Sequence, residues 1–166
     1  MSSSGNAPLI VVMGVTACGK STIGTALAEQ LGCPFIEGDE HHPAANIEKM
    51  KAGHPLDDAD RRPWVKALLN KVEACPADGP VVLACSALTR SVQSTLANAT
   101  RQVCWAHLVL DETSLHERME KRAHFMPPTL LQSQLDALDP PEDARAFDAA
   151  LSVSATVESI RATFAL

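Results

Sequence analysis

Apolar runs alternate with helical repeats along the chain, and this alternation indicates strands that are separated by helices. The run Leu9–Met13 is apolar at every position and ends at Gly14. A strand that is apolar on both faces is typical of the centre of a parallel sheet. Four more strands are predicted at 34–36, 81–85, 103–110 and 150–153. The pattern therefore predicts a doubly wound α/β fold.

The helices are predicted from apolar residues that recur every three or four positions. Residues 20–31 place Ile23, Leu27 and Leu31 on one face, and Gly32 is suited to end that helix. Asp111 is expected to cap a later helix. The other helices are predicted at 44–51 and 60–75, around Val92 and Leu96, around Leu115 and Met119, through Leu131, Leu135 and Leu138, and through Val157, Ile160 and Phe164.

The composition suits a single globular domain and excludes some partners. The chain has 166 residues, of which 46% are hydrophobic and 20% charged. We expect one domain at 9–166, preceded by a short flexible tail at 1–8. The formal net charge of −6 makes a broad basic surface for duplex nucleic acid unexpected. Since Tyr is absent and aromatic residues make up 4%, a platform for stacking single-stranded bases is not expected either.

The sequence also bears on the cellular compartment. The first residues lack a basic segment followed by an apolar stretch, so a secretory signal is not expected. No apolar run approaches the roughly 18–20 residues that span a bilayer. Five cysteines are scattered without a C-x-x-C pair, which suits reduced thiols. We therefore expect a cytoplasmic protein without a membrane partner.

The most specific chemical signal lies between the first strand and the first helix. Residues 14–21 read G-V-T-A-C-G-K-S and match the phosphate-binding pattern G-x-x-x-x-G-K-[ST] in full. Glycines let backbone N–H groups converge on an anion, and the helix N-terminus adds partial positive charge. Lys20 is expected to reach the β- and γ-phosphates of ATP, and the Ser21 hydroxyl to ligate Mg²⁺. The predicted nucleotide-binding residues here are Gly14, Val15, Thr16, Ala17, Cys18, Gly19, Lys20, Ser21 and Thr22.

The classes of protein that share this P-loop motif differ in the strand that is followed by an acidic residue. The chain has no N-K-x-D segment for reading guanine, and its third strand ends without a carboxylate. A carboxylate follows the second strand instead, at Asp39. We expect Asp39 to orient the acceptor hydroxyl and take its proton, and it is also a candidate to hold Mg²⁺ through a water molecule. The structural alternative is an aspartate that caps the next turn.

Over about residues 9–140 the sequence resembles the gluconate kinase (gluconokinase) family. The resemblance rests on the loop at 14–21, on G-D at 38–39 and H-P at 42–43, and on N-I-E-K-M at 46–50. It continues with G-x-P-L-x-D-x-D-R-x-P-W at 53–64, C-S-A-L at 85–88, H-F-M at 124–126 and S-Q at 133–134. The block at 53–64 is its specific part. The chain departs from the family pattern at 89–94, and it has a single residue between Arg122 and His124.

The resemblance implies a fold and an activity. It implies a three-layer P-loop NTPase fold with a five-stranded parallel sheet, helices on both faces and a small mobile lid at about 118–130. It further implies ATP- and Mg²⁺-dependent phosphorylation of the 6-hydroxyl of D-gluconate to 6-phosphogluconate, and a homodimer. Two alternatives stay open: a related kinase that acts on shikimate, another sugar acid or a nucleotide, and an ATP-binding module without turnover.

The segment 39–64 is expected to bind the substrate. Arg61 is the candidate guanidinium for a substrate carboxylate, although an ion pair with Asp57 or Asp58 at a helix start would explain it too. His42, Lys49 and Asp58 are candidates for hydroxyl contacts, and His42 would suit a structural turn equally well. Trp64 is expected in the core.

Arg118 and Arg122 are expected to act from the lid. Their i, i+4 spacing puts them on one helix face, from which a closing lid would bring both over the phosphates. Arg122 is therefore predicted to be catalytic, together with Lys20 and Asp39. The alternative is a solvated face paired with Glu117 and Glu120. The adenine loop is expected near 151–156.

Overall fold

The computed structural model describes residues 6–121 and 129–166. Within them, five parallel strands form one sheet in the order β2-β3-β1-β4-β5. The strands are β1 (Leu9–Met13), β2 (Phe35–Glu37), β3 (Val81–Ala84), β4 (Val103–Val109) and β5 (Arg145–Asp148). The doubly wound α/β fold and its five-stranded parallel sheet are confirmed.

The helices cover both faces of this sheet. They are α1 (Lys20–Leu31), α2 (Ala44–Lys51), α3 (Asp58–Glu73), α4 (Arg90–Leu96), α5 (Glu112–Glu120), α6 (Leu130–Ala137) and α7 (Val153–Phe164), with a 3-10 helix at Gly38–His41. Within 6–121 and 129–166, no helix has both the length and the apolar character to cross a bilayer. All five cysteines are free thiols, as expected.

The central strand β1 supplies side chains to two separate cores. Ile10 and Val12 pack on the face covered by α1, α5 and α7, whereas Leu9, Val11 and Met13 pack on the face covered by α3 and α4. All five side chains are completely buried. Since successive residues of a strand point to opposite faces, a strand with helices on both sides must be apolar throughout.

The fifth strand was predicted at the wrong place. It runs from Arg145 to Asp148, whereas the apolar stretch at 150–153 forms a turn and the start of α7. Because β5 is the edge strand and buries only Phe147, it carries no apolar run that could reveal it. Leu151 and Val153, which suggested a strand, are 53% and 40% exposed.

Side-chain caps decide where two helices begin. Asp57 and Asp60 form a reciprocal capping box, which starts α3 at Asp58, two residues before the predicted start. The predicted cap of α5 is confirmed, because the carboxylate of Asp111 accepts the N–H of Ser114 at 2.9 Å.

Arg101 is a buried cation that joins the amino-terminal ends of the strands. It is 5% exposed, and its guanidinium donates to the carbonyl oxygens of Ala7, Cys75, Pro76 and Gly79 at 2.5–3.1 Å. These carbonyls belong to the segment before β1 and to the connection between α3 and β3. The side chain therefore supplies donors to four backbone carbonyl groups, in contacts that are partly buried.

We predict that Arg101→Met lowers the free energy of unfolding by about 3 kcal/mol, because several partly buried carbonyl groups lose their charged hydrogen-bond donor. Urea denaturation followed by circular dichroism measures this loss. Arg90→Met is the matched control, since the pair of Arg90 with Asp139 has side chains that are 55% and 57% exposed. Its loss should be much smaller. Equal losses in the two variants would contradict the role given to Arg101.

Candidate active site

Strand pairing brings the chemically important ends of β1 and β2 to one edge of the sheet. Val12 of β1 and Glu37 of β2 both pair with Ala84 of β3. The phosphate loop leaves β1 at this edge, and the 3-10 helix with Asp39 leaves β2 there. Parallel strands place such exits side by side, and this edge is where ligands bind in open α/β sheets.

Glycine at both ends of the phosphate loop is required by the backbone. Gly14 has φ 149°, and a Cβ atom there would lie 2.7 Å from the Cys18 sulfur and 2.9 Å from the Leu108 carbonyl oxygen. Gly19 precedes α1 with φ 102° and provides no side-chain cap. The first N–H groups of α1 are thus left without a capping side chain, as a phosphate site needs.

The predicted nucleotide-binding residues fall into two groups. Gly14, Val15 and Cys18 are buried within the loop and are not among the described residues that line the cavity over it. An open cavity over the loop, called here the loop cavity, is lined by Thr16, Ala17, Gly19, Lys20, Ser21, Thr22, Asp39, Arg118 and Lys121. The Nζ atom of Lys20 donates to the carbonyl oxygen of Val15 at 2.9 Å, which keeps its cation above the loop.

A second cavity adjoins the first. This side cavity is lined by apolar groups that include Trp64 and Leu88, and by the polar residues Thr16, Lys20, Asp39, His42, Arg61, Ser86, Ser133 and Gln134. Thr16, Lys20 and Asp39 line both cavities. Two ligands, one in each cavity, would therefore meet at the ammonium of Lys20 and the carboxylate of Asp39.

Glu37 is a site residue that the sequence analysis missed. Its carboxylate accepts a hydrogen bond from the Ser21 hydroxyl, and its other oxygen accepts the N–H of Asp39 at 3.4 Å. Its position in the sequence could have indicated this role, because Glu37 is the last residue of β2 and directly precedes Gly38-Asp39. The Ser21 hydroxyl and the Glu37 carboxylate are hard oxygen donors of the kind that Mg²⁺ takes, together with phosphate oxygens.

Arg118 reaches the phosphate loop from α5. Its guanidinium donates to the carbonyl oxygens of Ala17 at 3.5 Å and Cys18 at 3.3 Å, and to that of Ala149 at 3.0 Å. It thus bridges the loop and the turn after β5, in place of the solvated ion pairs considered as its alternative. Arg122, its predicted partner, lies outside the described residues.

The predicted substrate residues do not all reach the side cavity. Asp39, His42 and Arg61 line it together. Arg61 also contacts Asp58 at 3.3 Å, so the guanidinium serves both the cavity and the helix start. Lys49 donates to Asp60 at 2.6 Å. Neither Lys49 nor Asp58 is among the described residues that line the cavity.

Trp64 is buried, as predicted, and also supports the site. It is 2% exposed, and its Nε1–H donates to the carbonyl oxygen of Gly38 at 2.8 Å. His42 stacks on it, with ring centroids 4.2 Å apart and ring planes at 11°. The pKa of His42 is lowered from 6.5 to about 4, mainly by burial; the Asp39 charge opposes this shift and the Arg61 charge contributes to it. His42 is therefore neutral near pH 7.

Gln134 links the helix that follows the predicted lid to the phosphate loop. Its side-chain oxygen accepts the backbone N–H of Thr16 at 2.7 Å, across 118 positions of sequence. In the sequence, Ser133 and Gln134 contribute to the family resemblance, but no role was predicted for them. α6 is thereby attached to the loop at the boundary between the two cavities.

We predict that Trp64→Phe lowers the free energy of unfolding by about 1–3 kcal/mol, since the Gly38 carbonyl loses its buried donor while an aromatic ring still stacks on His42. Urea denaturation measures this value. Trp105→Phe, at a buried position of β4, is the control for the loss of ring size alone. A Trp105→Phe variant that loses as much as Trp64→Phe would show that the hydrogen bond contributes nothing.

These features together define the class of protein to which the chain belongs. The loop, its lysine and serine, and a strand-end carboxylate that faces a second cavity are the features of a P-loop kinase. A family model described as AAA domain matches residues 9–141. The shikimate kinase of Bacteroides thetaiotaomicron shares the fold, with a TM-score of 0.70 at 17% identity over 96% of this chain and 99% of that one.

Similar proteins at higher identity narrow the class to one family. A gluconokinase of Gluconobacter oxydans is 44% identical over 136 residues, which is 81% of this chain and 76% of that protein. The gluconokinase of Arabidopsis thaliana is 37% identical over 164 residues, covering 90% and 87%. The crystal structure of a gluconokinase from Sinorhizobium meliloti matches with a TM-score of 0.83 at 40% identity, covering 97% of this chain and 93% of that one. The chain belongs to the gluconokinase family.

Proposed function

We propose that the chain transfers the γ-phosphoryl group of ATP to the 6-hydroxyl of D-gluconate, giving 6-phosphogluconate. The observation that carries the proposal is the meeting of the loop cavity and the side cavity at Lys20 and Asp39. A phosphoryl donor and a hydroxyl acceptor need this arrangement, because the hydroxyl oxygen must approach the γ-phosphorus in line. The names of the relatives support gluconate as the acceptor.

The loop cavity is suited to the phosphates of ATP. The first N–H groups of α1 and the Lys20 ammonium would bind the β- and γ-phosphate oxygens. Arg118, which now donates to backbone carbonyl oxygens, would exchange them for phosphate oxygens, which are stronger acceptors. Ser21 and Glu37 would hold Mg²⁺, which supplies positive charge that offsets the negative charge of the transferring group.

The side cavity is suited to a sugar acid. Arg61 would hold the carboxylate of gluconate, and polar side chains such as His42 and Ser86 would contact its hydroxyls. Asp39 would orient the terminal hydroxyl and accept its proton as the bond to phosphorus forms. The acidic side chain lies where the two cavities join, which is where the reacting oxygen must be.

Several expectations from the sequence stay predictions within this proposal. Arg122 and most of the expected lid fall at 122–128, outside the described residues. We also propose the homodimer that the family resemblance implies, and the cytoplasm, which the five free thiols favour.

The acceptor is tested by coupled assay of ADP release with gluconate, shikimate, glucose and nucleoside monophosphates. We expect turnover with gluconate only, and phosphorus NMR should place the phosphoryl group on the 6-oxygen. Turnover with shikimate or a nucleotide but not gluconate would overturn the proposed acceptor. ATP binding without turnover of any acceptor would indicate a binding module.

Lys20→Ala is expected to reduce kcat/KM for gluconate by two to three orders of magnitude. Removing an aimed charge-stabilising donor costs about 3–4 kcal/mol in the transition state. Lys66→Ala is the matched control, because Lys66 is exposed on α3 and lines neither cavity. A wild-type rate in Lys20→Ala would exclude the phosphate loop from the reaction.

Glu37→Gln is expected to raise the Mg²⁺ concentration that gives half-maximal activity by about tenfold, because the site loses a negative charge beside Ser21. Titration of Mg²⁺ at fixed ATP and gluconate measures the shift. Glu40→Gln removes the same charge from an exposed position of the 3-10 helix and should leave the titration unchanged. Identical titration curves for Glu37→Gln and the parent would remove Glu37 from the metal site.

A further inference from the structure

A buried asparagine lies between the side cavity and the start of α3. Asn46 is 4% exposed, and its Nδ2 atom lies 2.9 Å from the carbonyl oxygen of Asp60 and 3.3 Å from Nδ1 of His42. A buried polar side chain destabilises the fold unless its hydrogen bonds are satisfied. The donor and the acceptor in each of these two contacts must therefore be identified.

The contact with Asp60 identifies the atoms of the Asn46 amide. A backbone carbonyl oxygen can only accept, so the atom facing it must be the amino nitrogen, with its two hydrogens. One hydrogen goes to the carbonyl oxygen of Asp60, and the other is available to Nδ1 of His42. Nδ1 can accept it only if Nδ1 carries no proton itself. A neutral imidazole with a bare Nδ1 carries its proton on Nε2.

The surroundings of His42 hold the ring in place in its neutral form. The ring stacks on Trp64, which is itself held by the Gly38 carbonyl oxygen. Burial disfavours the imidazolium, and the pKa of His42 falls to about 4. The charged groups around it are Asp39 on the 3-10 helix, which favours the cation, and Arg61 on α3, which disfavours it.

We infer that Asn46 is a positioning residue that holds His42 as the neutral Nε2–H tautomer, so that His42 donates a hydrogen bond to an acceptor oxygen of the substrate in the side cavity. His42 lines that cavity, and its Nδ1 is engaged by Asn46, so Nε2 is the nitrogen left to serve a ligand. Only the substrate contact rests on the proposed function.

This assignment separates the roles of the polar groups in the side cavity. An Nε2–H donor cannot remove a proton from a hydroxyl, so proton acceptance is left to Asp39. A neutral ring leaves Arg61 as the guanidinium available to a carboxylate, while His42 offers an uncharged donor to an acceptor oxygen.

The tautomer is tested by NMR, without any substrate. Long-range proton–nitrogen spectra of the ¹⁵N-histidine-labelled protein at pH 7, with His42→Gln assigning the signals, should show His42 protonated on Nε2 alone. In Asn46→Asp the new carboxylate would accept a proton from Nδ1, so the Nδ1–H form or the imidazolium should appear. Asn46→Ala, which removes the donor, should give a mixture of tautomers. Wild-type protein with the Nδ1–H form, or an unchanged tautomer in both variants, would overturn the inference.

The substrate contact is tested by two replacements of His42 itself. Glutamine can place an amide N–H near the position of Nε2, whereas asparagine is shorter and places it near Nδ1. We expect the gluconate KM of His42→Asn to lie about tenfold above that of His42→Gln, with the ATP KM equal in the two variants. Equal gluconate KM values would reject donation from Nε2. If the parent protein does not phosphorylate gluconate, the proposed function fails, and the NMR result still decides the role of Asn46.

Discussion

The structure depends on the burial of β1 on both faces. Its five side chains are fully buried, alternately against the helices of the two faces, with β3 and β4 on either side. A shift of register would break the packing of these side chains against the helices on both faces. The phosphate loop that follows β1 therefore starts from a fixed point, which lowers the cost of ordering it at each binding event.

From that rigid point, the neighbouring strand ends supply the rest of the site. The pairing of Glu37 with Ala84, and of Ala84 with Val12, places the Glu37 carboxylate next to the loop serine. The overall charge of −6 is no obstacle to binding anionic ligands, since Lys20, Arg61 and Arg118 are gathered at the two cavities. Local charge, not the total, sets the potential that a phosphate or carboxylate meets.

The bounds of elements were predicted correctly where they depend on residues that are close together in the sequence. β1, α1 and α2 lie at their predicted bounds, and the cap of α5 by Asp111 is as expected. β5 was predicted at the wrong place because an edge strand with one buried residue has no apolar pattern that would indicate a strand. Lys49 and Asp58 have the right chemistry for hydroxyl contacts, yet Lys49 pairs with Asp60 and Asp58 with Arg61. Which partner a long polar side chain takes depends on packing between elements, which spacing does not report.

The alternating fold, the phosphate loop and the family resemblance follow from the sequence alone, because each depends on residues that are close together along the chain. The contacts of Glu37 with Ser21, of Gln134 with Thr16 and of Asn46 with His42 emerge only from the folded chain. A hydrogen bond depends on the distance and direction between its atoms. Groups that are distant in sequence acquire these only when β1, β2 and the helices around them have packed.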